Sequence, residues 1–98
     1  MNSYYSIFPL PISINYYEDF ENEIRGLRKR PVDTLIFIVD GKIEAKMNGY
    51  TYILKLGTEF TFTANQWHGW KTIVHSKIIQ YIPHFDIRRE ESKEYDDT

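Results

Sequence analysis

The segment Trp67-His68-Gly69-Trp70 sets an imidazole between two indoles, with a glycine that leaves a flat, approachable surface. His68 can exchange hydrogen bonds with a polar ligand while Trp67 or Trp70 offers a stacking face. A rim histidine bonded to a turn carbonyl is the plainer reading of the same residue, and core packing or a dimer contact is the plainer reading of the indoles. The second chemistry-bearing group is the basic run of Arg25, Arg28, Lys29 and Arg30. A guanidinium fork matches the two oxygens of a carboxylate or phosphate, which makes Arg28 and Arg30 candidate clamps. Glu18, Asp19, Glu21 and Glu23 precede the run, so a solvated face of mixed charge stands beside that reading. Acid–base catalysis by His68 requires a partner, for which Glu44, Glu59 and Tyr81 are the candidates.

Composition removes several classes of function. The chain has no cysteine, which excludes a disulfide framework, a thiolate zinc site and a cysteine nucleophile. A net charge of −2 argues against direct binding to duplex nucleic acid, which relies on clustered cations. The first residues carry no basic stretch, and their apolar run is broken by Pro9 and Pro11, so neither a secretion signal nor a membrane span is expected. The protein is therefore read as soluble and cytoplasmic. Its 98 residues suit one domain, and eight tyrosines supply more half-polar ring surface than a core requires.

The elements that must position these groups read as strands. Gly41, the Asn48-Gly49 pair and Gly57 recur at intervals of eight, the spacing of turns between short antiparallel strands. Thr34 to Val39 is a continuous apolar run that reads as a strand covered on both faces, ended by an Asp40-Gly41 turn. Lys42 to Met47 alternates, Asn48-Gly49 fits a type I′ hairpin, Tyr50 to Leu56 returns, and Glu59 to Thr63 alternates Phe and Thr. A further strand runs from Ser76 to Ile82 and stops at Pro83. Residues 4–17 suit an arm or edge strand, and Glu18 to Arg30 suits either a helical turn or a strand. Arg88 to Thr98 is polar enough to read as a solvated tail or short helix. Phe37, Ala45, Met47, Tyr52, Phe60, Phe62 and Tyr81 are the positions expected to point inward.

The series Leu35-Ile-Phe-Ile-Val-Asp-Gly41, Asn48-Gly49 through Gly57, and Gly57 through His68 resembles the barrel of cupins, and most closely the sensor domains of AraC-type regulators that hold no metal. The resemblance covers residues 34–85. Leu56 and Thr58 replace the usual Pro and Asp around the turn glycine, while the spacing from Gly57 to His68 is kept. The His-x-His and Glu of metal-dependent cupins are missing between Pro31 and Gly41, so the resemblance implies no metal and no cofactor. It also implies either an excised sensor domain or a free-standing small binder.

The expected fold is all-β, a small antiparallel β-barrel or jelly-roll of cupin type. A short N-terminal arm occupies 1–33, the barrel 34–87 and a polar tail 88–98. The expected function is non-catalytic binding of a small polar ligand of the sugar or nucleotide class, for effector sensing or for sequestration. Candidate ligand-binding residues are His68, Trp67, Trp70, Arg28, Arg30, Tyr52, Phe37 and Tyr81. A protein–protein module or homodimer, and a sugar isomerase or epimerase, are the alternatives. Closure of the arm over the pocket is a hypothesis that rests on Tyr4, Tyr5 and Phe8 near the prolines, and the sequence does not decide it.

Overall fold

The computed structural model describes residues 12–83 and 89–95. Tyr4, Tyr5, Phe8 and His84 lie outside them. Seven strands form: β1 (Ile12–Asp19), β2 (Ile24–Lys29), β3 (Thr34–Met47), β4 (Tyr50–Lys55), β5 (Glu59–Phe62), β6 (His68–Pro83) and β7 (Glu91–Lys93). They make one antiparallel sheet in the order β4-β3-β6-β2-β7, with β1 also on β6 and β5 also on β3. The long strands β3 and β6 pair along almost their whole length, and their outer edges carry different partners at each end. This antiparallel sheet, folded on itself, is the small barrel expected. No helix among the described residues is long and apolar enough to cross a membrane.

The hairpins signalled by turn chemistry are present. Asn48 and Gly49 both have positive φ, 52° and 84°, as a type I′ turn demands, and Gly57 turns at φ 87°. Asp40-Gly41 behaves otherwise. No hairpin forms there; β3 continues through it as one 14-residue strand. Gly41 sits at φ 90°, and a Cβ on it would strike the Ser76 side chain and the His75 carbonyl. The pairing with β6 shifts register between Ile38 and Ile43, the mark of a bulge. Ser76 clasps it, its Oγ accepting from the Lys42 N–H at 2.9 Å and donating to the Val74 carbonyl at 2.6 Å.

The bulge inverts the faces of β3. Thr34, Ile36 and Ile38 are buried before it, and Ile43 and Ala45 after it. Phe37, expected inward, therefore faces out. Tyr81 also faces out, because β6 turns Ile78, Gln80 and Ile82 inward. The apolar run of β3 is consequently covered on one face among the described residues, and its other face forms an exposed groove of Leu35, Phe37, Ile79 and Tyr81.

Residues before 34 supply two full strands of the sheet: of the two alternatives for Glu18 to Arg30 the strand is the one that forms, at Ile24–Lys29, and β1 is paired to β6 from Ile12 to Asp19. Part of the expected tail is also ordered against the sheet, since β7 pairs with β2. The apolar core lies between β3, β4, β5 and β6, built on Ile36, Ile38, Ile43, Leu54, Phe62 and Ile78.

Candidate functional site

Beside that core the barrel interior turns polar. β1, β2 and β6 enclose a recess of about 70 Å³, lined by Tyr17, Arg25, Gly26, Arg28, Arg30, His68, Gly69, Trp70 and Gln80. Its floor depends on a glycine. A Cβ on Gly69 would fall 2.7 Å from the Arg25 carbonyl and 2.9 Å from that of Gly26, so β6 and β2 approach only because Gly69 bears no side chain there.

His68 opens β6 and is buried to 2% exposure. Its position is set by the preceding turn. The Asn65 N–H donates to the Arg30 carbonyl at 2.7 Å, and the Ala64 N–H donates to Asp33 Oδ1 at 2.7 Å. The turn is thereby tied to the end of β2, and residues 38 apart in sequence meet: Arg30 Nη1 lies 3.0 Å from His68 Nε2. A guanidinium only donates, so Nε2 accepts and the ring proton sits on Nδ1, where it donates to the Gln66 carbonyl at 3.1 Å. Burial, reinforced by the charges of Arg30 and Arg28 and opposed by the Gln66 bond, lowers the His68 pKa to about 4. The imidazole is neutral at physiological pH. Phe62 stacks on it with centroids 4.5 Å apart and planes 15° from parallel.

Arg30 is itself buried, and desolvation pulls its pKa down against the opposing effect of Glu90, whose Oε2 lies 2.6 Å from Arg30 Nε. The same Oε2 lies 3.8 Å from Arg28 Nε. Arg25 is matched separately. Asp19, wholly buried, takes it in two contacts of 2.5 and 3.2 Å, and this hydrogen bonding raises the Arg25 pKa. Asp19 also accepts from Trp70 Nε1 at 3.1 Å. Deeper in, Gln80 Oε1 accepts from Tyr17 Oη at 2.9 Å and from Asn15 Nδ2 at 3.1 Å.

Of the residues singled out from sequence, the recess gathers His68, Trp70, Arg28 and Arg30. Trp67 stands apart, under Lys93 at 4.2 Å and Lys29 at 5.9 Å. Tyr52 packs on Phe60 against the apolar core, and Phe37 and Tyr81 are on the outer face. The acid–base partners considered for His68 do not reach it. Both ring nitrogens are engaged by Arg30 and Gln66, Glu44 meets the Tyr95 hydroxyl at 3.3 Å, and Tyr81 faces outward. That double engagement also leaves the imidazole no lone pair to offer a metal ion. Tyr17, Asp19, Gln80 and Glu90 were not anticipated. Their one sequence signal is the chain of alternating positions Asn15, Tyr17 and Asp19, which shares a face in a strand.

No protein-family model matches the chain, and no curated protein matches it in sequence. Solved structures do resemble it. A cupin superfamily protein from Desulfitobacterium hafniense matches with a TM-score of 0.71 at 17% identity, over 74% of this chain and 66% of that one. An RmlC-like cupin from Shewanella frigidimarina matches at 0.65 and 13% identity, over 78% of this chain and 68% of that one. Salicylate 1,2-dioxygenase from Pseudoaminobacter salicylatoxidans, in complex with gentisate, matches at 0.77 and 13% identity over 89% of this chain. The match covers 25% of the dioxygenase, so this chain spans about a quarter of that enzyme's length. The chain has the cupin fold, and function rests on its own site.

Proposed function

We propose that this cupin-fold chain is a non-catalytic binder of a small polar molecule, and that the ligand places an anionic group in the recess between β1, β2 and β6. The observation that carries this reading is the meeting of Arg28 and Arg30 with a neutral, buried His68 on one internal recess. Guanidinium groups recognise carboxylate and phosphate in two-pronged geometry, and partial desolvation strengthens such contacts. Binding is favoured over turnover because neither imidazole nitrogen is open to take a substrate proton. Effector sensing, as in the regulator domains the sequence resembles, and sequestration of a sugar- or nucleotide-like metabolite are the two uses this binding serves.

The test is a thermal-shift screen of the full chain against simple carboxylates, gentisate, sugar phosphates, nucleotides and neutral sugars. A ligand at a hundred times its Kd adds about 2.7 kcal/mol to the folded state. Stabilisation by anionic members, reduced in Arg28→Gln, is the expected result. No shift across the panel, or one that Arg28→Gln leaves intact, would remove the reading.

A second reading, a homodimer or protein–protein module, is favoured by the outer face of β1, β3 and β6, where Ile14, Tyr16, Phe37, Val39, Ile79 and Tyr81 are all exposed. Apolar patches of such extent mark interaction sites. Sedimentation of wild type and Ile14→Lys over a range of concentrations tests the homodimer: a monomer at every concentration in both chains refutes it and weighs against the wider interaction reading.

A further inference from the structure

We infer that the Arg28–Arg30 pair is an exchangeable carboxylate subsite, that Glu90 is its resident carboxylate, and that a ligand's carboxylate or phosphate binds by taking the place of Glu90. The inference deepens the proposed function and rests on it. Register explains how Glu90 arrives. β7 pairs Lys93 with Leu27, Ser92 with Arg28 and Glu91 with Lys29, so the next step along both strands sets Glu90 across from Arg30. One oxygen, Glu90 Oε2, then serves both guanidinium groups, at 2.6 Å from Arg30 and 3.8 Å from Arg28. With a side chain 18% exposed, Glu90 has given up most of its water, a loss that those two cations offset.

The element that delivers Glu90 is weakly held. β7 has three residues, all exposed, at the edge of the sheet. Among the described residues its side chains are tied by Lys93 over Trp67 and by a 3.9 Å contact between Lys29 and Glu91, both in solvent and each worth less than about 1 kcal/mol. Two residues further on, Tyr95 adds a long 3.3 Å hydrogen bond to Glu44 and lies under Lys46. Short edge strands of this kind sit at the low end of local stability. Size supplies the remaining step. About 70 Å³ holds a few waters or an inorganic oxyanion. Arg28 and Arg30 line that space and Glu90 does not, so a larger acid that engages both guanidinium groups extends past the recess to the side that Glu90 occupies. β1 and β6 cannot yield without opening the core, whereas β7 can leave β2 at the loss of three residues of pairing and of the surface contacts of Glu91, Lys93 and Tyr95. A carboxylate that replaces Glu90 leaves the charge beside the two cations unchanged, and a phosphate, at about −1.5 to −2, makes it more negative. Like-charge repulsion between the incoming anion and Glu90 favours the departure.

The experiment titrates acetate and inorganic phosphate, at ionic strength held constant with chloride, into full-length wild type, Glu90→Gln and Glu90→Asp. Amide hydrogen exchange at residues 91–93 is followed in parallel. Exchange at the subsite predicts affinity for one or both anions at least tenfold higher in Glu90→Gln, an intermediate gain in Glu90→Asp, and faster amide exchange at 91–93 when wild type is saturated. A preference for acetate assigns the subsite to carboxylates, and a preference for phosphate assigns it to phosphoryl groups. Equal affinity in wild type and Glu90→Gln would overturn the exchange while leaving the recess as a binding site. Weaker binding in Glu90→Gln would overturn it also, making Glu90 a residue that positions Arg30. Absence of binding in all three chains would overturn both the exchange and the anionic recess.

Discussion

Replacing His68 by Gln should change how stability depends on pH, by an amount the burial of the imidazole fixes. The ordinary histidine value is 6.5, and in the fold it falls to about 4, first through desolvation and then through Arg30 and Arg28. Between those values the unfolded chain binds a proton that the folded chain refuses. Stability is therefore complete above about pH 6.5 and is lost as the pH falls towards 4. Over the whole window the linkage amounts to about 3 kcal/mol, and between pH 7 and pH 5 to about 2 kcal/mol. That is a large share of the roughly 5–15 kcal/mol that holds a domain folded. Glutamine suits the comparison because its amide oxygen can take the place of Nε2 as acceptor for Arg30 without titrating. Loss of the Phe62 stack lowers the variant's stability at every pH, so the quantity to read is the difference between the two chains. Urea unfolding at pH 7, 6 and 5 should show that difference narrowing by about 2 kcal/mol towards pH 5. A difference constant within about 0.5 kcal/mol, or a His68 ring resonance titrating near its ordinary value, would refute the argument.

Two further perturbations probe the frame around the recess. Gly41→Ala should lose at least about 2 kcal/mol, because the new Cβ meets the Ser76 side chain and the His75 carbonyl at a positive φ. Gly57→Ala, at the same φ but with open space around it, should lose about 1 kcal/mol; equal losses in chemical denaturation would show that the close approach of β3 to β6 contributes nothing. Asp19→Ala should lose about 2–4 kcal/mol, because it strips the partner from buried Trp70 Nε1 and from Arg25 together. Asp19→Asn retains an acceptor for the indole and should lose less, and a ranking reversed between the two would remove the buried carboxylate from its structural role.

What could be read from the sequence was whatever one turn or one strand decides. Asn48-Gly49 and Gly57 impose positive φ locally, and β4 and β5 follow from them. Asp40-Gly41 carries the same local signal but serves a bulge, because β6 is available to pair on both sides of it. That single residue inverted the face assigned to Phe37. Tyr81 was misassigned for a related reason: Gln80 is polar, yet it points inward to Tyr17 and Asn15, which accommodate its amide. For residues 12–29 the sequence left strand beside arm or helical turn, because the partner that makes them strands, β6, pairs with them from forty or more residues further along the chain. Arg30 and His68 were legible as types and illegible as a pair, since their meeting depends on a turn bonded to the end of β2.

The polar recess is not what a chain of this size needs for folding. A 98-residue domain buries a modest fraction of its surface, and apolar side chains in place of a buried ion pair are often neutral or stabilising. Here the apolar cluster stops at Phe62 and Trp70. Beyond them the interior is given to Asp19, Arg30, His68 and Gln80, all buried. Asp19 serves Trp70 and Arg25, and Gln80 serves Tyr17 and Asn15, so these two close internal networks. Arg30 differs from them. It bonds inward to a neutral imidazole and pairs outward with a carboxylate that immediately precedes the shortest strand described in the sheet. A cation positioned in this way joins the recess to a displaceable edge, an arrangement that suits recognition of an anion better than it suits stability.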